Sequence, residues 1–297
     1  VISDMQWDAM YDELTNLEKE TGTVLPDSPT HRVGGEPLKG FEQHRHITRL
    51  WSMDKVQTID ALQDWIRRTE KLAGRGDLPY FVEYKFDGLT LNLTYREGQL
   101  VQAATRGNGE VGEAILPQAK TVRAVPLTIP YQGLLEVQGE CIMRLSVLEQ
   151  YNKTAKEPLK NARNAAAGAL RNLDPAVTAA RRLDAFFYQV GTIENPPYHT
   201  QPGMLEFLRK NGFPVSPYLG EPKNAEELVA CIRHIEEIRN TLDFLIDGVV
   251  IKVGDFALRE RMGFTEKFPR WAVAYKFEAE ESVTTLRKVT WELGRTG

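Results

Sequence analysis

From Phe81 to Tyr95 the chain has strand character, and its first part constrains the fold more tightly than anything else in the sequence. In an extended backbone successive side chains point to opposite faces. Val82, Tyr84 and Phe86 therefore share a face suited to a core, while Glu83, Lys85 and Asp87 share the other. Two readings of that charged face are open. One is a solvated strand surface with an incidental charge pair. The other is a lysine nucleophile, whose amine must lose its proton before it can attack. Two flanking carboxylates favour the charged amine, so the second reading requires a compensating cation such as a metal ion or another lysine.

Lysines of that kind occur downstream. In Ile246–Lys252, Lys252 shares a strand face with Gly248 and Val250; in Trp271–Phe277, Lys276 shares one with Ala272 and Ala274. Small neighbours leave room for a flat, phosphate-bearing ligand, although lysines also protect edge strands from aggregation. Glu136, Gln138 and Glu140 fall on one face of a further strand, where carboxylates meet a ribose hydroxyl, Mg²⁺ or only solvent. Gly107, Gly109 and Gly112 spell G-x-G-x-x-G. A dinucleotide fingerprint would need a helix opening there inside a parallel unit, whereas a hairpin precedes the motif and Pro117 follows it. The stretch reads as a turn presenting Arg106.

The remaining elements surround these strands. A helix over 3–20, capped by Ser3 and carrying Trp7, Tyr11, Leu14 and Leu17, precedes a Pro- and Gly-rich linker that runs to Gly40. A second helix carries Ile59, Leu62, Trp65 and Ile66 and ends near Gly74; others cover Asn161–Leu170 and the segment after Asn224. Strands are expected at Leu100–Thr105, Leu134–Met143, Ala185–Val190, Val249–Val253 and Trp271–Phe277. Adjacent strand pairs interrupted by long helices favour an α+β fold with antiparallel sheets.

Composition sets limits on partners. Across 297 residues, 37 Lys and Arg against 41 Asp and Glu leave a net charge of −4, which excludes a general cationic coat. Nucleic-acid contact must then use local basic patches. The two cysteines, Cys141 and Cys231, exclude a disulfide framework and a cysteine-built zinc site, and point to a reducing compartment. No apolar run approaches the roughly 18 residues of a membrane span. The sequence reads as a piece of a longer protein.

Taken together, Lys85-Phe86-Asp87-Gly88, Ser52-Met53-Asp54, Thr105-Arg106-Gly107, the run Asn161–Gly168, Ile246–Lys252 and Trp271–Phe277 resemble, in order and spacing, the adenylation domain of bacterial NAD⁺-dependent DNA ligases. The resemblance covers essentially the whole chain. It implies a nucleotidyltransferase (ATP-grasp-like ligase) core at 41–288, with antiparallel sheets flanked by helices. Residues 1–40 would be the remnant of an N-terminal helical domain that binds nicotinamide mononucleotide (NMN), and 289–297 the approach to an OB-fold domain.

It also implies roles. Lys85 attacks the α-phosphorus of NAD⁺, expels NMN and keeps AMP as a phosphoramidate; Asp87 orients the site. Arg106, Lys252 and Lys276 bind phosphate charge and favour the uncharged amine. Glu83 contacts adenine, Tyr188 stacks on it, Glu140 meets the ribose or Mg²⁺, and Ser52 and Met53 line the nucleotide site. Asp4, Met5, Gln6, Trp7 and Asp8 hold the NMN half, with Trp7 where the family carries Tyr. Asp247 and Arg239 are further candidates. The sequence departs from the family at Lys55, Asn108, Gln138 and Ala162, where Asn, Asp, Arg and Pro are usual.

The implied partner is nicked double-stranded DNA, met through Arg163 and Arg171, by a monomer that works in the bacterial cytoplasm and has no membrane partner. Two alternatives remain: an ATP-dependent polynucleotide ligase or capping-type nucleotidyltransferase, and a non-catalytic nucleotide-binding module.

Overall fold

The alternating segment does not continue as one strand; it breaks at Asp87-Gly88 and enters a second sheet. A computed structural model of the chain describes residues 4–32, 40–278 and 288, with residues 4–8 given as backbone alone. In chain order the elements are α1 (Asp4–Thr21), β1 (Gln43–Arg45), β2 (Asp54–Val56), α2 (Ile59–Ala73), β3 (Tyr80–Phe86), β4 (Leu89–Arg96) and β5 (Gln99–Thr105). Next come β6 (Val111–Glu113), α3 (Leu116–Thr121), β7 (Leu135–Ile142), α4 (Leu145–Thr154), α5 (Ala162–Leu170), α6 (Pro175–Ala180) and β8 (Asp184–Ile193). The last are α7 (Gln201–Lys210), β9 (Leu219–Gly220), α8 (Ala225–Ile238), β10 (Ile246–Val253), α9 (Phe256–Met262) and β11 (Ala272–Lys276).

Among the described residues the strands form a five-stranded sheet in the order β2-β11-β10-β3-β9, a four-stranded sheet β5-β4-β7-β8, and the pair β1-β6. This is an α+β fold, and every pairing is antiparallel except β2 with β11. Each sheet has its own apolar core. Val82, Tyr84 and Phe86 of β3 join Val249, Ile251 and Val273 beneath α2, α8 and α9. Leu91, Leu93, Val137 and Phe187 of the other sheet pack with Ala162, Ala165, Ala166 and Ala169 of α5. Phe86 stacks on Phe186 of β8 at 4.5 Å between centroids, so the strand that carries Lys85 is fastened to both sheets.

The helix ends follow local chemistry. The side chains of Thr58, Asn161 and Asn224 accept from the backbone N–H three residues on, at 3.2, 3.1 and 2.9 Å, and so begin α2, α5 and α8. The expected linker to Gly40 is partly built. Pro29–Arg32 form a 3₁₀ turn, and the Arg32 guanidinium donates to the carbonyl of Lys120 in the last turn of α3 and to those of Val122 and Val125 beyond it. Ser3, the side chains of Asp4, Met5, Gln6, Trp7 and Asp8, and residues 289–297 lie outside the described residues.

The break after β3 depends on Gly88. A Cβ there would sit 2.1 Å from the carbonyl oxygen of Cys141 on β7. Gly88→Ala is therefore expected to destabilise the fold by about 1–3 kcal/mol, the cost of overpacking a close backbone approach, read as a lower urea midpoint.

Candidate functional site

The two sheets face each other across a cleft of about 1170 Å³. From the five-stranded sheet it takes Glu83 and Lys85 of β3, Val250 and Lys252 of β10, and Ala274 and Lys276 of β11. From the other come Thr90 of β4, Gln138 and Glu140 of β7, and Tyr188 of β8. Arg106, Ser52, Met53, Arg163 and Arg171 complete one side. Strand alternation explains the set: Val250 and Ala274 are slim residues on the same faces as Lys252 and Lys276, so both lysine-bearing faces turn toward the cleft.

Lys85, 26 % exposed, places its Nζ 2.8 Å from Oδ1 of Asp247; Lys276 Nζ lies 2.9 Å from Oδ2 of the same carboxylate. Regular alternation would turn Asp247 toward the core with Val249 and Ile251. A bulge between Ile246 and Gly248 prevents this, because both Lys85 and Lys276 pair with Gly248 and leave Asp247 as the extra residue. Gly248 permits the bulge: its φ is +155° and a Cβ would meet the Tyr275 carbonyl at 2.0 Å. Burial alone would push the Asp247 carboxyl up, but the hydrogen bonds and charges of Lys85 and then Lys276 outweigh it and hold it below the usual range.

Lys252 is less accessible than expected for a group that meets phosphate. It is 1 % exposed, ion-paired with Glu83, and donates to the Tyr188 carbonyl at 3.3 Å. Burial lowers its pKa against the pull of Glu83. The Glu83 carboxylate therefore serves Lys252 first, while its Oε2 has no hydrogen-bond partner among the described residues. Below this pair lies Arg259, a residue the sequence reading missed. Its guanidinium is held between the rings of Phe256 and Trp271 at 4.4 and 4.3 Å, and donates to Val253 O and Gln201 Oε1. Burial pulls it down to about 9. Its only sequence signal is an arginine on the apolar side of a short helix.

Arg106 donates to Ser52 Oγ at 2.5 Å, which joins the turn after β5 to the loop before β2. The glycine-rich stretch is a turn running into β6, and α3 opens only at Leu116. Tyr188 lies with its ring 5.4 Å from Lys252 Nζ, and burial raises its hydroxyl's pKa. Asp87 is not among the residues that line the cleft, but its Oδ1 lies 3.2 Å from Arg163, which is. Arg171 pairs with Glu113 through two nitrogens, at 2.7 and 2.9 Å. Arg239 also lies away from the cleft lining, over the Phe277 ring and donating to the Glu278 carbonyl. Glu136 is not among the residues that line the cleft; it is 0 % exposed and accepts from the backbone amides of Ile47 and Thr48.

Glu140 accepts from Thr90 at 3.3 Å. The surrounding protein pushes its carboxyl from the ordinary 4.5 up to about 7, against the opposing charges of Lys85 and Arg163 and the Thr90 hydrogen bond. The sign of the consequence is fixed. A carboxyl that binds its proton more tightly when folded adds stability that is complete below about 4.5 and lost as pH rises through 7. Between pH 5 and 8, Glu140→Gln is expected to remove about 1–3 kcal/mol of that decline, measured as a flatter dependence of urea midpoint on pH. No three His, Cys, Asp or Glu side chains gather as a metal-ligating group among the described residues.

Residues 38–280 match the NAD-dependent DNA ligase adenylation domain, and residues 1–34 match the DNA ligase-like, N-terminal NAD⁺-binding domain. The whole chain is 56% identical over 298 residues to a DNA ligase of Alkaliphilus metalliredigens and 52% identical over 306 residues to one of Finegoldia magna. It spans 45% and 46% of those relatives, less than half their length. Among solved structures, a putative ATP-dependent DNA ligase from Aquifex aeolicus aligns with TM-score 0.43 at 14% identity, over 90% of this chain and 62% of that one. An archaeal ATP-dependent RNA ligase aligns with TM-score 0.44 at 13% identity, over 78% and 48%.

Proposed function

The chain belongs to the NAD-dependent DNA ligase family, and from that premise we propose that it is the self-adenylating part of such an enzyme, with Lys85 as its nucleophile. The observation that carries this reading is the pair of lysines on the two oxygens of Asp247 at the cleft wall. Lys276 and Arg106 meet the phosphates of NAD⁺ there, and the Lys85 amine attacks the adenylyl phosphorus. An N–P bond forms as the pyrophosphate P–O bond breaks, and NMN leaves with the bridging oxygen. Asp247, 2.8 Å from Nζ, takes the proton the amine sheds and passes it to solvent. Cations aimed at the transferring group stabilise the charge it develops.

Glu140 and Tyr188 take the ribose and the adenine, and the free Glu83 oxygen faces the base. Lys252 acts from beneath, as a buried charge near the phosphate. Residues 1–40 form the NMN side and 41–288 the adenylation domain, a division supported by matches at 1–34 and 38–280. In the longer protein AMP passes to the 5′-phosphate of nicked DNA, which the half-exposed Arg163 and Arg171 meet, and the 3′-hydroxyl then displaces AMP. Mg²⁺ fits poorly as a resident ion. Both Asp247 oxygens are held by ammonium groups, and burial raises the Glu140 carboxyl to about 7, which disfavours the anionic form a metal needs. Phosphate oxygens and water would supply most ligands of such an ion, and no step here runs through it.

The test is to offer the chain NAD⁺ or ATP, each labelled in its adenylyl group. Covalent label that survives alkali and is released by acid is expected from NAD⁺ and not from ATP. Label from ATP alone would move the protein to an ATP-using chemistry, and none from either would leave a nucleotide-binding module.

A further inference from the structure

We propose that Glu136 is a positioning residue for Arg106, acting through a buried relay that clamps residues 46–52 onto the four-stranded sheet. The proposal rests on Arg106 being a phosphate ligand of the adenylation site.

Glu136 is fully buried on β7, and each of its oxygens receives defined donors. Oε1 accepts from the backbone N–H of Ile47 at 3.1 Å and from Asn92 Nδ2 at 2.8 Å. Oε2 accepts from the N–H of Thr48 at 2.9 Å and from Thr192 Oγ1 at 3.4 Å. Two consecutive amides on one carboxylate fix both the position and the direction of the segment that leads to Ser52. A buried carboxylate is tolerated because charge-assisted hydrogen bonds surround it.

The relay continues through Asn92. A carboxylate only accepts, so the Asn92 group facing Glu136 must be its NH₂. That NH₂ also lies 3.0 Å from His46 Nδ1, which must then be an acceptor, and the ring proton sits on Nε2. His46 Nε2 is 3.1 Å from the Arg106 carbonyl, which can only accept. The carboxylate thus sets the amide, the amide sets the imidazole tautomer, and the imidazole holds the Arg106 backbone. At the other end of Arg106, the guanidinium is held by Ser52 on the same clamped segment. The arginine is therefore gripped at its carbonyl and at its tip by one strap, and Glu136 is the strap's anchor. Arg106 Nε is buried and has no hydrogen-bond partner among the described residues. The strap therefore holds a cation with donor capacity left over.

Glu136→Gln tests this with little change of volume. Its NH₂ has to face the amide of Ile47 or of Thr48, donor against donor, and the strap shifts. A shift of about 1 Å at a phosphate ligand costs about a hundredfold. We expect adenylation per folded molecule to fall about ten- to a hundredfold, and AMP affinity by calorimetry to fall about tenfold. In an Arg106→Ala background the same change should cost less than about twofold, because the anchor has nothing left to position. A merely structural role predicts a lower melting temperature, unchanged adenylation per folded molecule and a stability loss that adds to that of Arg106→Ala; that result overturns the proposal.

If Glu136→Gln does not fold, His46→Ala keeps both backbone amides on the carboxylate and cuts only the grip on the Arg106 carbonyl. A few-fold loss that vanishes in the Arg106→Ala background supports the relay, and wild-type behaviour overturns it. The AMP titration separates the two levels. A wild-type chain that takes no AMP covalently counts against the proposed function, while AMP affinity in the variants still decides the role of Glu136.

Discussion

Lys85→Ala is expected to abolish covalent capture of AMP while leaving the fold in place. The loss should be complete within detection, because no neighbouring group can substitute. Lys276 lies on the far oxygen of Asp247, and Lys252 is 1 % exposed and engaged by Glu83. The cost in stability should stay within about 1 kcal/mol, since Lys85 is partly exposed and its removal leaves Asp247 paired with Lys276. Intact-protein mass after exposure to NAD⁺ and Mg²⁺ reads the first effect and a urea titration the second. A variant that still gained one AMP would remove Lys85 from its assigned role.

The second large effect concerns Lys252. Lys252→Ala strands the Glu83 carboxylate, 2 % exposed, beneath the cleft. Removing one partner of a buried ion pair costs about 3–5 kcal/mol, most of it the penalty of the charge left behind. Arg259 softens that penalty, since its charge also acts on Glu83, but its own donors are committed to Val253 O and Gln201 Oε1. Adenylation should be lost as well. The double replacement Glu83→Leu with Lys252→Met separates the two consequences. Trading a buried pair for apolar groups of similar size is often neutral in stability, so folding should recover while adenylation stays absent. Recovery of both would make Lys252 a structural residue only.

Much of the fold is legible where one local rule acts alone. Asn161 and Asn224 mark helix starts because a side-chain acceptor meets an orphan N–H, and Val82, Tyr84 and Phe86 mark a core face because alternation is strict. The break at Asp87-Gly88 is not legible. Apolar alternation resumes at Leu89 and Leu91, and only the Cys141 carbonyl, distant in sequence, reveals that the chain has changed sheets. Asp247 is obscured for a related reason. Counting by two places it with the core residues, and the bulge that turns it toward Lys85 exists only once β10 is paired with β3 and β11.

The site shows the same division. That Glu83, Lys85, Lys252 and Lys276 share cleft-facing sides follows from strand periodicity. Which lysine pairs with which carboxylate does not follow, because it depends on burial: Lys252 sinks onto Glu83, while Lys85 stays at the surface with Asp247. Glu136, Gln138 and Glu140 are equivalent by alternation, yet Glu136 anchors a strap and Glu140 lines the cleft. The difference arises from residues 46–48 lying over one end of β7, a contact between segments far apart in the chain.

The central claim is that one amine captures adenylate beside a shared carboxylate. Fragmentation of the peptide spanning Glu83–Gly88, after the unaltered chain has been incubated with NAD⁺, tests it most directly. The account predicts a single added AMP, carried by Lys85 through a phosphoramidate linkage that survives alkali and is cleaved by acid. AMP found on Lys252, Lys276 or any other side chain, or a chain whose mass never changes, contradicts it.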